Sequence, residues 1–172
     1  MKFDVKQAII DRLRDTRRKN VEMVVDYMEK HGFFTLSCRG HHKYEGGLAD
    51  HAWQTYQIAL GLDADAHRKN PNFSQSDADS IAISALLHDI CKCRGKHRIW
   101  GHGRRSTRIL KELGFILSLD EYLAVRFHMS LKGKETHPRY NEAKKCRLRN
   151  VIHESDHQSA RCNKGCTDFK SR

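Results

Sequence analysis

The stretch Ile81-Ala82-Ile83-Ser84-Ala85-Leu86-Leu87-His88-Asp89 sets an almost unbroken apolar run directly against a histidine and an aspartate. No period-two alternation interrupts it, and a helix apolar on every side belongs in the centre of a bundle. Ser76, followed three residues later by Asp79, resembles a capping arrangement that opens this helix. Its far end is unusual. Aspartate near a helix C-terminus opposes the macrodipole, and a carboxylate entering a core is costly unless it is paired or ligated. A divalent cation removes both objections. A helix that simply ends there, with both side chains in water, is the other reading.

Working outward, the same helical spacing recurs and no segment alternates with period two. Val5, Ile9, Leu13, Val21, Val24 and Met28 form one stripe, predicting an amphipathic N-terminal helix over 3–31 that stops at Gly32. Leu48, Ala52, Thr55, Ala59 and Leu62 carry a second helix, broken at Asn70-Pro71-Asn72. Ile109, Leu110 and Leu113 mark one ending at Gly114, and Leu119, Leu123 and Phe127 a short one begun near Ser118. Gly133, Pro138 and Asn141 make 131–142 a loop, and a last helix over 143–162 carries Leu148, Val151, Ile152 and Ala160. The expectation is an all-α bundle of about six helices in a single domain over 1–172. Its motif-bearing core is 41–160 and its short basic tail is 161–172.

The chain of 172 residues is 38% hydrophobic with only 2 Pro and 11 Gly, which excludes collagen-like sequence and wholesale disorder. It has neither an apolar run long enough for a membrane span nor the leader of a signal peptide, so a cytoplasmic protein without membrane association is expected. In that setting the six cysteines are read as free thiols or ligands rather than disulfides. Neither Cys91-Lys92-Cys93 nor Cys162 with Cys166 has paired zinc spacing, although a structural zinc on Cys162, Cys166 and nearby histidines is a further reading.

Two more elements join His88-Asp89. His51 lies one turn into a helix opened by Gly46-Gly47, and Asp156 shares a helical face with Ser159. His51, His88-Asp89 and Asp156, in that order, resemble the HD-domain superfamily of metal-dependent phosphohydrolases. His41-His42-Lys43-Tyr44-Glu45-Gly46-Gly47-Leu48-Ala49-Asp50-His51 is similar to the His-rich lead-in of one branch, which includes 3′-to-5′ exoribonuclease-like members. Leu86-Leu87-His88-Asp89-Ile90-Cys91-Lys92 is similar to that branch's Leu-Leu-His-Asp-Ile-Gly-Lys, with Cys91 replacing the glycine. Asp156-His157-Gln158-Ser159-Ala160 resembles its closing Asp-x-x-Ser-Ala.

The resemblance implies a helical HD bundle whose metal ligands are His51, His88, Asp89 and Asp156, with His102 and His128 as ligands of a second ion or as phosphate contacts. Catalytic work would fall on His88, Asp89 and Lys92, and substrate contacts on His42, Lys92, Arg104 and Arg105. Lys92 also reads as a last-turn lysine favouring the helix dipole. Such a mixed imidazole and carboxylate set suits Mn²⁺, Fe²⁺, Co²⁺, Ni²⁺ or Zn²⁺, one ion or two, with Mg²⁺ also admitted. The His-His pair and the Gly-Tyr-Pro motif of the cyclic-dinucleotide branch are absent, because Phe127 precedes His128 and Met129 follows it.

The formal charge of +11 gathers at Arg14, Arg17, Arg18 and Lys19, at Arg94, Lys96, His97, Arg98, Arg104, Arg105 and Arg108, and at Lys144, Lys145, Arg147 and Arg149. A basic field beside the site steers polyanions, and Trp100 offers a stacking surface. Phosphorylated small molecules, nucleotides and nucleic-acid ends are the expected partners. The alternative is a non-catalytic HD-like module that keeps a structural metal and binds nucleotide or nucleic acid. Oligomeric state is not legible.

Overall fold

The computed structural model describes residues 3–38, 40–70, 77–94 and 101–162. Its elements are α1 (Val5–Asp15), α2 (Val21–Lys30), α3 (Gly47–Lys69), α4 (Ala78–Leu87), a 3-10 turn (Ile90–Arg94), α5 (His102–Glu112), α6 (Leu119–Phe127), α7 (Tyr140–Lys145) and α8 (Arg147–Arg161). The described residues contain eight α-helices and no strand, so the all-α bundle is borne out with two helices more than the expected six.

The apolar run is the hub. Every residue from Ile81 to Leu87 is buried, and α4 packs on α1, α3, α6 and α8. Helix α8 lies against α3 and α6, and α5 leans on α6 and the 3-10 turn. The cap of α4 is Asp77, whose carboxylate accepts from Ser80 N, while Ser76 and the Pro71 break lie outside the described residues. At α6 the expected start at Ser118 is a full capping box. Ser118 Oγ accepts from Glu121 N, and Glu121 Oε2 accepts from Ser118 N at 2.7 Å.

The single N-terminal helix is corrected to two. Between Leu13 and Val21 no apolar residue continues the stripe, and Arg17 and Asn20 adopt left-handed backbone at φ 50° and 65°. Asn20 instead donates from Nδ2 to Gly114 O at 2.7 Å, tying the corner to the end of α5. The last expected helix also divides. Cys146 takes extended backbone, ends α7, and its sulfur accepts from Arg149 N to open α8. No helix of the described residues is long and apolar enough to cross a membrane.

Side chains pin the layers. Arg12 donates to Tyr56 Oη at 2.9 Å and to Asp79 Oδ1 at 2.7 Å, joining α1 to α3 and α4. Arg147 pairs with buried Asp63 at 2.8 Å, joining α8 to α3.

Gly103 in α5 is a close-approach position. A Cβ there would meet Arg126 O at 2.5 Å and Val125 O at 2.7 Å. Gly61, also helical, has nothing within 4 Å of an added Cβ. Gly103→Ala is therefore expected to destabilise by about 1–3 kcal/mol through overpacking. Gly61→Ala should stabilise by roughly 0.5–1 kcal/mol through backbone entropy. Urea unfolding of the two variants checks the contrast, and equal effects would contradict it.

Candidate metal centre

Three local devices aim side chains at one point. At the first, a Cβ on Gly47 would lie 2.0 Å from His42 O, so only glycine lets the His41-His42 loop lie on the start of α3. That loop thereby comes to rest beside His51, one turn further along. At the second, His88 follows α4 as its C-cap, and its Nδ1–H donates to Ala85 O at 2.7 Å. The third repeats the second at the end of α6, where C-cap His128 donates from Nδ1 to Val125 O at 2.9 Å. A histidine three residues past a helix carbonyl takes up an orphan acceptor and leaves Nε2 as its lone-pair nitrogen.

The free ends converge. His51 Nε2 lies 3.1 Å from Asp156 Oδ1 and 3.8 Å from Asp89 Oδ2. His88 Nε2 lies 3.3 Å from Asp89 Oδ2 and 3.7 Å from Asp156 Oδ1. His102 Nε2 and His128 Nε2 each stand 3.9 Å from Asp89 Oδ1, so Asp89 sits between two histidine pairs. Lys92, one turn on, places its ammonium on Asp89 Oδ2.

His51 and His88 are fully buried and Asp89 is 2% exposed. Yet His51 Nε2, His88 Nε2, His128 Nε2 and Asp89 Oδ1 have no hydrogen-bond partner. Buried polar atoms are rarely left so, and four orphans facing one space call for an unseen ligand. Among the described residues four groups bring ligand atoms within 4.8 Å of one another: His41, His42 and His51; His51, His88 and Asp89; His88, His128 and Asp156; and Asp89, His102 and His128. Imidazole nitrogens and carboxylate oxygens are the donor set of a divalent transition metal, so these residues fit such an ion.

Except at His88, the charge states agree with that donor set. Burial pulls the His128 pKa down to about 3 and also lowers His51 and His102, keeping three imidazoles neutral. Burial works against His88 as well, but Asp89 outweighs it and raises that histidine. For Asp89, burial would raise the pKa, and Lys92 and His88 overcome it and hold the carboxyl well below its usual range. Asp156 is held low in the same way, chiefly by His51 and His88.

Other expected residues lie elsewhere. His42 is buried, with Nδ1 3.0 Å from His41 Nδ1 and Nε2 3.0 Å from Gln54 Oε1. Both of its nitrogens have partners within the protein. Arg105 is half-buried beside the Cys91 thiol. Cys91, where the branch has glycine, fits because its Sγ lies against His102 O at 3.4 Å. Arg104 is exposed and lines a groove of about 1120 Å³ between α5 and α6, with Arg108, Lys111, Tyr122, Arg126 and Arg139. The Arg94 side chain, Lys96, His97, Arg98, Trp100 and Cys166 lie outside the described residues. The described cysteines form no disulfide and enter none of the groups that could hold a metal.

Sequence reasoning passed over Gln54 and the first histidine of the lead-in, His41. Gln54 follows His51 by three residues on one helical face, a polar residue on the core side of α3, and that was the available signal.

No curated protein and no solved structure matches the chain significantly. The sequence model of the HD domain matches residues 48–160, from the first turn of α3 to the last turn of α8, and encloses His51, His88, Asp89, His102, His128 and Asp156. His41 and His42 precede it. With about two thirds of its length inside that match and its histidine and aspartate side chains gathered in a helical bundle, the chain belongs to the HD domain family.

Proposed function

We propose that this protein is a metal-dependent phosphohydrolase acting on a phosphate ester of a nucleotide or nucleic acid. The observation that carries the reading is the set of four partnerless polar atoms, His51 Nε2, His88 Nε2, His128 Nε2 and Asp89 Oδ1, sealed inside the bundle. His51, His88, Asp89 and Asp156 would hold the essential ion, and His102 and His128 would complete a second site through Asp89 or meet substrate phosphate. An ion held there would supply a water acidic enough to lose its proton near neutral pH and would withdraw charge from a phosphoryl oxygen.

The chain's own groups do the rest. Asp89 and Asp156 stay ionised, so they offer negative charge to a cation throughout the physiological range. The carbonyls of Ala85 and Val125 hold the rings of His88 and His128 in one tautomer, so those ligands need no reorganisation. Lys92 stays protonated, since Asp89 outweighs the effect of burial and raises its pKa. It would be shared between that carboxylate and an incoming phosphate oxygen. The groove beyond α5 and α6 would hold the rest of a polyanion, with Arg104, Lys111 and Arg126 on its walls.

Elemental analysis of protein purified without chelator should find a first-row transition metal at one or two ions per chain. Chelation should lower the melting temperature, because an ion present at about 100 times its Kd adds roughly 2.7 kcal/mol to stability. With Mn²⁺ restored, hydrolysis of a panel of nucleotides, cyclic nucleotides and short RNA should follow. Salt-sensitive RNA binding with no turnover would instead favour the non-catalytic module.

A further inference from the structure

His41 lies outside the HD domain match, yet its ring lies against His51, tilted by 54° with centroids 4.4 Å apart. It is half-buried, whereas His51 is fully buried. Behind it runs a chain of hydrogen bonds. His41 Nδ1 meets His42 Nδ1 at 3.0 Å, His42 Nε2 meets Gln54 Oε1 at 3.0 Å, Ser159 Oγ lies 3.4 Å from the same Oε1, and His51 Nδ1 meets Ser159 Oγ at 2.9 Å.

Proton counting fixes each link. Gln54 Oε1 only accepts, so His42 must carry its proton on Nε2. His42 Nδ1 is then an acceptor, and the proton between the two histidines belongs to His41 Nδ1. At the other end, the Ser159 hydroxyl has carbonyl acceptors at Gln54 Oε1 and at His51 O, 3.3 Å away. It therefore receives a proton from His51 Nδ1. His51 Nε2 faces Asp156 Oδ1 at 3.1 Å, so the assignment of this ring rests on its Ser159 link. The amide oxygen thus sets the tautomers of His42 and His41, and the Ser159 link assigns that of His51, leaving Nε2 as the lone-pair nitrogen of His51 and of His41.

We infer that His41 is a fifth imidazole of the centre, offering Nε2 as a hydrogen-bond acceptor to a water or hydroxyl of the bound substrate, and that His42, Gln54 and Ser159 are its positioning residues. The catalytic part rests on the hydrolytic reading above; the tautomer assignment does not.

The test reads the two separately. Ring ¹⁵N–¹H spectra of chelator-treated protein, with His41→Phe and His42→Phe used for assignment, should show His41 and His51 protonated at Nδ1 and His42 at Nε2. Gln54→Glu keeps the acceptor oxygen and should keep that pattern. Gln54→Met removes it and should leave His41 and His42 as tautomer mixtures. A wild-type His42 protonated at Nδ1, or an unchanged pattern in Gln54→Met, overturns the inference. On adding Zn²⁺ alone, His51 Nε2 should show a coordination shift and His41 Nε2 should not; a shift at His41 makes it a ligand and overturns the acceptor role. With Mn²⁺ and a chromogenic phosphodiester, His41→Phe and Gln54→Met should lower kcat about tenfold to a hundredfold at unchanged metal content, with recovery in Gln54→Glu. Full activity in His41→Phe also counts against it. Tautomers as expected in a protein that binds no metal would uphold the relay and reject the hydrolase.

Discussion

Replacing Asp89 with asparagine is expected to abolish metal retention and lower hydrolysis by on the order of a thousandfold or more. Asp89 lies within 4 Å of His51, His88, His102 and His128 and in contact with Lys92, so one carboxylate faces four imidazoles and an ammonium. The variant is nearly isosteric, which separates charge from packing. The amide presents one oxygen and no negative charge to a cation, and it leaves the Lys92 ammonium without its counter-ion. Elemental analysis should show the ion gone while far-ultraviolet circular dichroism still reports a folded helical protein. Retained metal together with full turnover would reject both the ligand set and the mechanism built on it.

The second large effect is on stability. Glu121 is fully buried, closes the capping box of α6 through Ser118 N, accepts from Ser80 Oγ at 2.8 Å, and pairs with Arg18 of the α1–α2 corner. Three segments far apart in sequence thus meet on one carboxylate. Glu121→Ala removes an acceptor from the amide, the hydroxyl and the guanidinium at once and should cost about 3 kcal/mol. For a chain of this size that corresponds to a drop of roughly 6–12 °C in melting temperature. Glu121→Gln, which keeps an acceptor and loses the charge, should lose less. Equal losses in the two variants would place the whole effect in the ion pair; no loss in either would remove Glu121 from the framework.

Much of the fold was legible because local chemistry and tertiary packing agree. The run 81–87 is apolar on every side, and it became the helix that neighbours four others. A short helix was expected to begin near Ser118, and Ser118 caps it. The expectation failed at corners. Nothing in the spacing of Leu13 and Val21 distinguishes one long helix from two, and the turn between them is held by Asn20 reaching Gly114 in another helix. Cys146 likewise looks like any residue inside 143–162 until its sulfur is found capping α8.

For the centre, a charge following an apolar run pointed to His88 and Asp89, and the resemblance to the HD-domain superfamily added His51, Asp156, His102 and His128. Chain order cannot express proximity between residues separated by up to 108 positions, as His51 and Ser159 are. Packing of α3 on α8 and of α5 on α6 decided it, the latter through a glycine that lets two backbones almost touch. The sequence by itself determined which side chains have chemistry to offer and that helices carry them. Only the tertiary structure decided which nitrogen of each histidine is left to use it, because a tautomer is set by the one hydrogen bond the other nitrogen makes.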